Sequence, residues 1–263
     1  MVLADLHVHT TVSDGRLELA DVPAAAREAG VDIVALTDDD RIQPALDAPV
    51  VEREGVRLIH GIELRVDAGQ QKVDLLGYGL KPTAALESEC ARIQENRVER
   101  ARAIVERVED SLGVDLDLDL HPGVGRPHIA RAIDDSDADL TYQQAFDTLI
   151  GSDGPCYVAR KIPDFETGRG LLAEACAFVG LAHPLRYGDT EHALALTADL
   201  DAVERYYPYG REVDPAPVER AIERHDLLAT GGSDAHDDQL GIAGLDSEAY
   251  EPIRERLPRS TRG

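Results

Sequence analysis

Apolar residues fall along this chain in short blocks, and most blocks close on a turn rich in histidine or aspartate. The first block, Val2 to Val8, has the pattern of a strand; alternation places Asp5, His7 and His9 on one face and Leu6 and Val8 on the other. Leu17 to Ala29 carries apolar residues at helical spacing (Leu19, Val22, Ala25, Ala26, Ala29), with Gly30 in the position of a helix-ending glycine. Val31 to Leu36 predicts a buried strand that ends in Thr37-Asp38-Asp39-Asp40. A short helical stretch is expected next, then a strand, Val56 to Ile59, running into Gly61-Ile62-Glu63, and a fourth, Val73 to Tyr78. Strand and helix in alternation, with polar strand ends, is the order of a parallel β/α barrel or sheet.

The order breaks at Thr83. Thr83 to Leu112 predicts one long charged helix with an apolar stripe at Ile93, Val98, Ile104, Val105 and Val108. A Pro/Gly-rich joint, HPGVGRPH, leads to helical stretches near Ile129–Ile133 and Tyr142–Ile150, and no strand pattern returns before Pro155. Residues 83–165 therefore read as a helical insertion between 1–82 and 166–263, the alternative being a continuous α/β domain with long helices. Beyond it a helix at Gly168–Phe178 is expected, then strands at Gly180–Ala182, Leu200–Val203 and Leu227–Thr230. Helices are expected near Glu191–Ala198, at Pro217–His225 and from Ser247 onward.

Composition alters this picture in two ways. With 4% aromatic residues and no Trp in 263 residues, Ala, Val, Leu and Ile must fill the core. Asp and Glu number 51 against 27 Lys and Arg, a net charge of −24, and only Lys72, Lys81 and Lys161 are lysines. No single block holds the acid, so the pattern predicts a cytoplasmic protein kept soluble in high salt, where self-repulsion is screened. The same charge excludes a broad basic face for long nucleic acid and leaves room for a short, locally neutralised phosphate ligand. Cys90, Cys156 and Cys176 lack C-x-x-C spacing, which fits a reducing compartment and no thiolate metal site. No basic leader and no run of about 18 apolar residues occurs, so neither secretion nor membrane spanning is expected. G-x-S-x-G, Walker A and G-x-G-x-x-G motifs are all missing, which argues against serine-nucleophile and those nucleotide-binding chemistries.

The candidate chemistry lies at the strand ends, where loops of β/α barrels converge. Those ends carry His7, His9, Asp14, Asp39, Glu63, His183, Asp234 and His236, with Asp74 inside its strand; all nine are imidazoles or carboxylates fit to ligate Zn, Mn or Fe. In order, D-L-H-V-H-T-x-x-S-D-G, T-D-x-D, G-I-E-L, V-x-L-L-G-Y, A-H-P and G-S-D-A-H resemble the motifs of the PHP (polymerase and histidinol phosphatase) family from Asp5 to about Leu245. G-R-P-H-I-A-R-A-I and P-C-Y-V are similar to its small stand-alone phosphoesterases, among them nucleoside phosphate phosphatases and exonucleases.

The resemblance implies a distorted seven-stranded, TIM-like β/α barrel, with 83–165 as a cap over the active site, and two or three divalent ions (Mn, Zn, Fe or Mg) at its mouth. Carried over by position, one metal takes His7, His9, Glu63 and Asp234; a second shares Glu63 and adds Asp74 and His183; a third takes Asp14, Asp39 and His236. At Asp39 and Asp74 the family's usual residue is histidine, so harder ions gain there, or an outer ion is weakened. Asp234 or His236 would move the proton, and Arg126, His128, Lys161 and Arg186 would meet substrate phosphate. The implied activity is metal-assisted hydrolysis of a small phosphorylated substrate, a nucleoside phosphate or the 5′ end of a short single strand, with no membrane and no stable protein partner. A histidinol-phosphate-type phosphatase and a non-catalytic PHP domain, weakened by Asp39 and Asp74, are the alternatives.

Overall fold

In the computed structural model, which describes residues 1–259 and the backbone of 261–262, β1 spans Ala4–Val8 and every one of its residues is buried. Its alternation is interrupted. Asp5 pairs with Val34 and Val8 with Leu36 of β2 (Ile33–Leu36), so β1 spends one residue more than β2 over the same stretch. Such a bulge re-aims the side chains that follow it. Leu6 joins the core layer of Ala4, Ile33, Ala35 and Ile59, whereas Val8 joins the layer of Val22, Val34, Leu36 and Leu58. The strict two-face reading of Leu6 and Val8 is thereby corrected.

The chain divides into two compact units, Met1–Ser88 with Ile162–Gly263, and Glu89–Lys161. In the first, α1 (Val22–Ala29) ends on Gly30 in the left-handed region and packs Val22 and Ala26 against the second core layer. No helix precedes the next strand. Val50–Arg53 forms β3 and pairs antiparallel with β4 (Val56–Asp67) through a turn in which Glu54 and Gly55 both have positive φ. β5 (Lys72–Tyr78) is antiparallel to β4 and to β6 (Phe178–Leu181). The other pairings, to β7 (Ala202–Tyr206) and β8 (Leu228–Gly231), are parallel. A seven-strand path, β1-β2-β4-β5-β6-β7-β8, forms one α/β sheet, to which β3 and the two-residue β9 (261–262) add off the path. β1 meets the far end of the path through an isolated bridge from Val8 to Ala235, after β8. The uniformly parallel expectation fails at β5 because an apolar run has no direction; hairpin turns decide it.

In the second unit, α2 (Ala84–Leu112, which begins in the first) supplies Ala101, Ile104 and Val108 to a core shared with Ile129 and Ile133 of α3 (Arg126–Asp134). α4 (Tyr142–Ala145) opens on a Thr141/Gln144 capping box and runs on as a wide turn to Ile150. Back in the first unit, α5 (Phe165–Ala175), α6 (Thr190–Ala195), α7 (Ala216–His225) and α8 (Ser247–Arg256) alternate with or follow the later strands. Among the described residues no helix is long and apolar enough to cross a membrane.

His60 of β4 is fully buried, and neither ring nitrogen has a hydrogen-bond partner. Burial pushes its pKa down from 6.5 to about 4. The unfolded chain therefore binds a proton that the fold refuses, and stability falls as pH drops from about 6.5 through 4. The span is worth about 3 kcal/mol at most. His60→Leu is expected to flatten that part of the acid limb in denaturant melts taken across the range.

Candidate metal centre

Three groups of potential ligands lie in the first unit: His7, His9, Glu63 and Asp234; Glu63, Asp74 and His183; and His9, Asp14 and His236. β1 presents His7 and its end presents His9; β4 carries Glu63; β5 carries Asp74; His183 follows β6; Asp234 and His236 follow β8. His183 and Asp234 sit at positive φ (30° and 53°), a conformation that aspartate tolerates better than most and that marks both turns as specialised.

The first group is the tightest. His7 Nε2 is 3.2 Å from Glu63 Oε2 and 3.4 Å from Asp234 Oδ1; His9 Nε2 is 3.1 Å from Asp234 Oδ1 and 3.4 Å from Glu63 Oε2. Those separations are the edges of a ligand tetrahedron, about 3.4 Å for bonds of about 2.1 Å to a central ion. His7 Nδ1 stands 3.0 Å from Glu204 Oε1. A carboxylate only accepts, so Nδ1 carries the hydrogen and the Nε2 lone pair of a neutral ring faces two more acceptors. A metal ion, or in its absence a second proton on the ring, satisfies that arrangement. His9 sharpens the point: its Nδ1 is buried with no hydrogen-bond partner, while its Nε2 faces the Asp234 and Glu63 carboxylates. Burial disfavours charge on His9, yet Asp234 and Glu63 outweigh it and lift the ring to about 10. Burial likewise opposes charge on His7, and Glu204 and Glu63 overcome it. A donor set that draws protons so strongly draws a divalent ion for the same electrostatic reason, and these residues fit one.

Glu63 links this group to the second. Its Oε1 is 3.0 Å from His183 Nε2, which is 3.7 Å from Asp74 Oδ2. The third group is more open: His236 Nε2 lies 3.3 Å from Asp14 Oδ1, with both side chains about half exposed. His9 stands in this group where Asp39 was expected. Asp39 makes a backbone bridge to Glu63 and feels its charge; burial, Glu63 and Asp40 raise it to about 7.

Of the expected phosphate donors, Arg186 belongs beside these groups. Its Nη1 is 3.0 Å from Asp234 Oδ2 and 2.9 Å from the Tyr207 hydroxyl, which itself donates to Asp234 Oδ2 at 2.7 Å. Arg126, His128 and Lys161 belong to the helical unit. His128 Nδ1 accepts from the Gly125 amide and caps α3. Arg126 lies over the Tyr157 and Phe146 rings, and burial together with Arg126, Arg160 and Arg97 lowers Arg100 to about 10.

Several supports escaped the sequence reading. Glu204, wholly buried, orients His7 and accepts the His183 amide at 2.7 Å. Its signal was a lone acid at the end of the apolar run Ala202-Val203. Asp5 accepts from the Ser233 amide and hydroxyl, the Gly241 amide and, at 3.3 Å, the His7 amide, which ties the Asp234 loop to β1. Asp38 holds Thr10 and Ser13, fixing the turn that carries Asp14. Gly232 packs so closely that an added Cβ would stand 2.3 Å from His7 N and 2.4 Å from His7 Cβ. Both neighbours are rigid, so Gly232→Ala is expected to cost about 3 kcal/mol and to lower bound metal, read by thermal melting and elemental analysis.

Known proteins share this chain's sequence and fold. The PHP domain model matches residues 5–153. The chain is 28% identical to a 3′,5′-nucleoside bisphosphate phosphatase of Chromobacterium violaceum, over 90% of this chain and 88% of that protein. It is 30% identical to a 5′-3′ exoribonuclease of Haemophilus influenzae, over 71% and 70% of the two. The solved structure of an amidohydrolase from Chromobacterium violaceum superposes with a TM-score of 0.75 at 24% identity, covering 97% of each chain. The motifs, the sheet and the ligand groups thus converge with these matches: the chain is an enzyme of the PHP family.

Proposed function

We propose that this enzyme is a metal-dependent phosphoesterase that hydrolyses a small phosphorylated substrate, a nucleoside phosphate or the 5′ end of a short oligonucleotide. The observation that carries the reading is the shared carboxylate: Glu63 stands in both the His7–His9–Asp234 group and the Asp74–His183 group, as a pair of adjacent cations requires. Divalent ions held there acidify water and polarise the phosphoryl group. His7, His9, Glu63 and Asp234 would hold a first ion, Asp74 and His183 with Glu63 offer a second locus, and Asp14, His236 and His9 an outer one. Carboxylate-rich loci of this kind suit Mn or Mg.

The chain's own groups do the rest. Arg186 offers its planar fork to the phosphoryl oxygens beside Asp234. Desolvation works against ionisation of Asp234, yet His9 and His7 hold its carboxyl below the usual range, so it stays anionic and is a poor proton acceptor. His236 is half exposed and raised by Asp14, which suits it to protonate the leaving oxygen as the water–phosphorus bond forms and the ester bond breaks. The arginines around Arg126 form a separate anion-attracting locus within the helical unit. The acidic surface fits work in a high-salt cytoplasm.

The test is phosphate release with Mn, in high salt, from a nucleoside 3′,5′-bisphosphate, a 5′-phosphorylated oligonucleotide and histidinol phosphate. Turnover of a nucleotide substrate that chelator abolishes is the expected result. Preference for histidinol phosphate overturns the substrate class, and no turnover of any substrate overturns the enzyme reading.

A further inference from the structure

We propose that Arg65 is a built-in cation of the Glu63–Asp74–His183 group: it holds Asp74 and makes this the weakest divalent-ion locus, so the resting enzyme carries one ion fewer than its ligand groups offer. The inference rests on the reading that the centre binds divalent ions.

The backbone dictates the encounter. Arg65 and Asp74 are directly opposed in the antiparallel ladder of β4 and β5. Side chains opposed in this way start about 5 Å apart, whatever else enters the site. Arg65 also follows Glu63 by two residues, so both project from the same face of β4. From there Nη1 reaches 2.9 Å from both Asp74 oxygens. The Asp74 side chain is 7% exposed and that of Arg65 38%, which sets the guanidinium at the rim and the carboxylate beneath it. Asp74 is held from behind as well, its amide donating to the Tyr187 hydroxyl at 2.8 Å.

Two consequences follow for an ion at this locus. It must share Asp74 with a group that is already positive, and it meets a fixed like charge a few ångströms away. The contrast is with Asp234 of the first group: Arg186 touches only its Oδ2, while Oδ1 faces His7 and His9. Asp74 has no such spare oxygen. The pair Asp74–Arg65 together is neutral, so the carboxylate is pre-empted as an anionic ligand.

The experiment is Mn titration of metal-stripped protein by calorimetry, with elemental analysis after dialysis, on wild type, Arg65→Gln, Arg65→Lys and Arg27→Gln. Arg65→Gln is expected to bind its weakest Mn about tenfold or more tightly and to retain about one more ion per chain. Arg65→Lys, which keeps the charge, and Arg27→Gln, which breaks only an exposed pair with Glu54, are expected to titrate like wild type. Identical isotherms for wild type and Arg65→Gln overturn the proposal. If His9→Ala lowers the count in that case, the metal centre stands and only the role of Arg65 falls. If neither wild type nor His9→Ala binds Mn, the metal reading falls and the proposal with it.

Discussion

Glu63→Gln is expected to lower kcat/KM for phosphoester hydrolysis by about three orders of magnitude, some 4 kcal/mol of transition-state stabilisation. Glu63 touches His7, and lies within 3.4 Å of His9, through Oε2; it touches His183 through Oε1. The amide keeps the shape but loses the charge, and it puts an NH2 against a ring nitrogen on one side or the other. Two adjacent ion loci are weakened by one substitution, so added Mn is expected to restore only a small part of the rate. The fold is expected to survive. In the metal-free protein its removal relieves the repulsion that pushes up Asp39 but also loses its attraction to His7, His9 and His183, so some loss of thermal stability is expected. Steady-state kinetics across Mn concentrations, with thermal melts of stripped protein, check both halves. Near wild-type turnover in Glu63→Gln would sink the site assignment.

Glu204→Gln is the second large effect, and it has a different signature. Glu204 reaches no proposed ion; one oxygen takes the His7 Nδ1 hydrogen and the other the His183 amide. Glutamine can satisfy one of these and must oppose an N–H to the other. Outer partners of metal-binding histidines are worth about 10–100-fold in metal affinity. An unmet buried donor adds about 1–3 kcal/mol of instability. The expected result is a Mn dependence shifted to higher concentration, kcat largely recovered at saturation, and a lowered melting temperature. Recovery by excess metal separates Glu204→Gln, which misorients ligands, from Glu63→Gln, which removes one.

How much of this was legible in the chain differs residue by residue. His7-Val8-His9 was readable because both candidate ligands lie at or just past the end of one short apolar strand, two residues apart. His183, Asp234 and His236 were readable because each follows an apolar run, where strands end and loops begin. Asp74 was readable as a candidate ligand, but an acid inside a strand is ambiguous, and its partners came only through resemblance. β3 was missed because Glu54-Gly55 is a weak hairpin signal beside Asn-Gly. The direction of β5 was missed because the apolar pattern is the same read either way.

Residue type and local period were enough to indicate that imidazoles and carboxylates end successive strands and that the core is aliphatic, while metal-assisted chemistry entered through the resemblance. Those properties belong to short stretches, whose geometry is dictated by covalent structure and neighbouring residues. Tertiary structure alone decided the company each ligand keeps. The bulge in β1 re-aims His7, Glu204 arrives from a strand 197 positions away to orient it, and the β4–β5 register sets Arg65 against Asp74. Such contacts depend on how distant segments are paired, and no local pattern encodes that pairing.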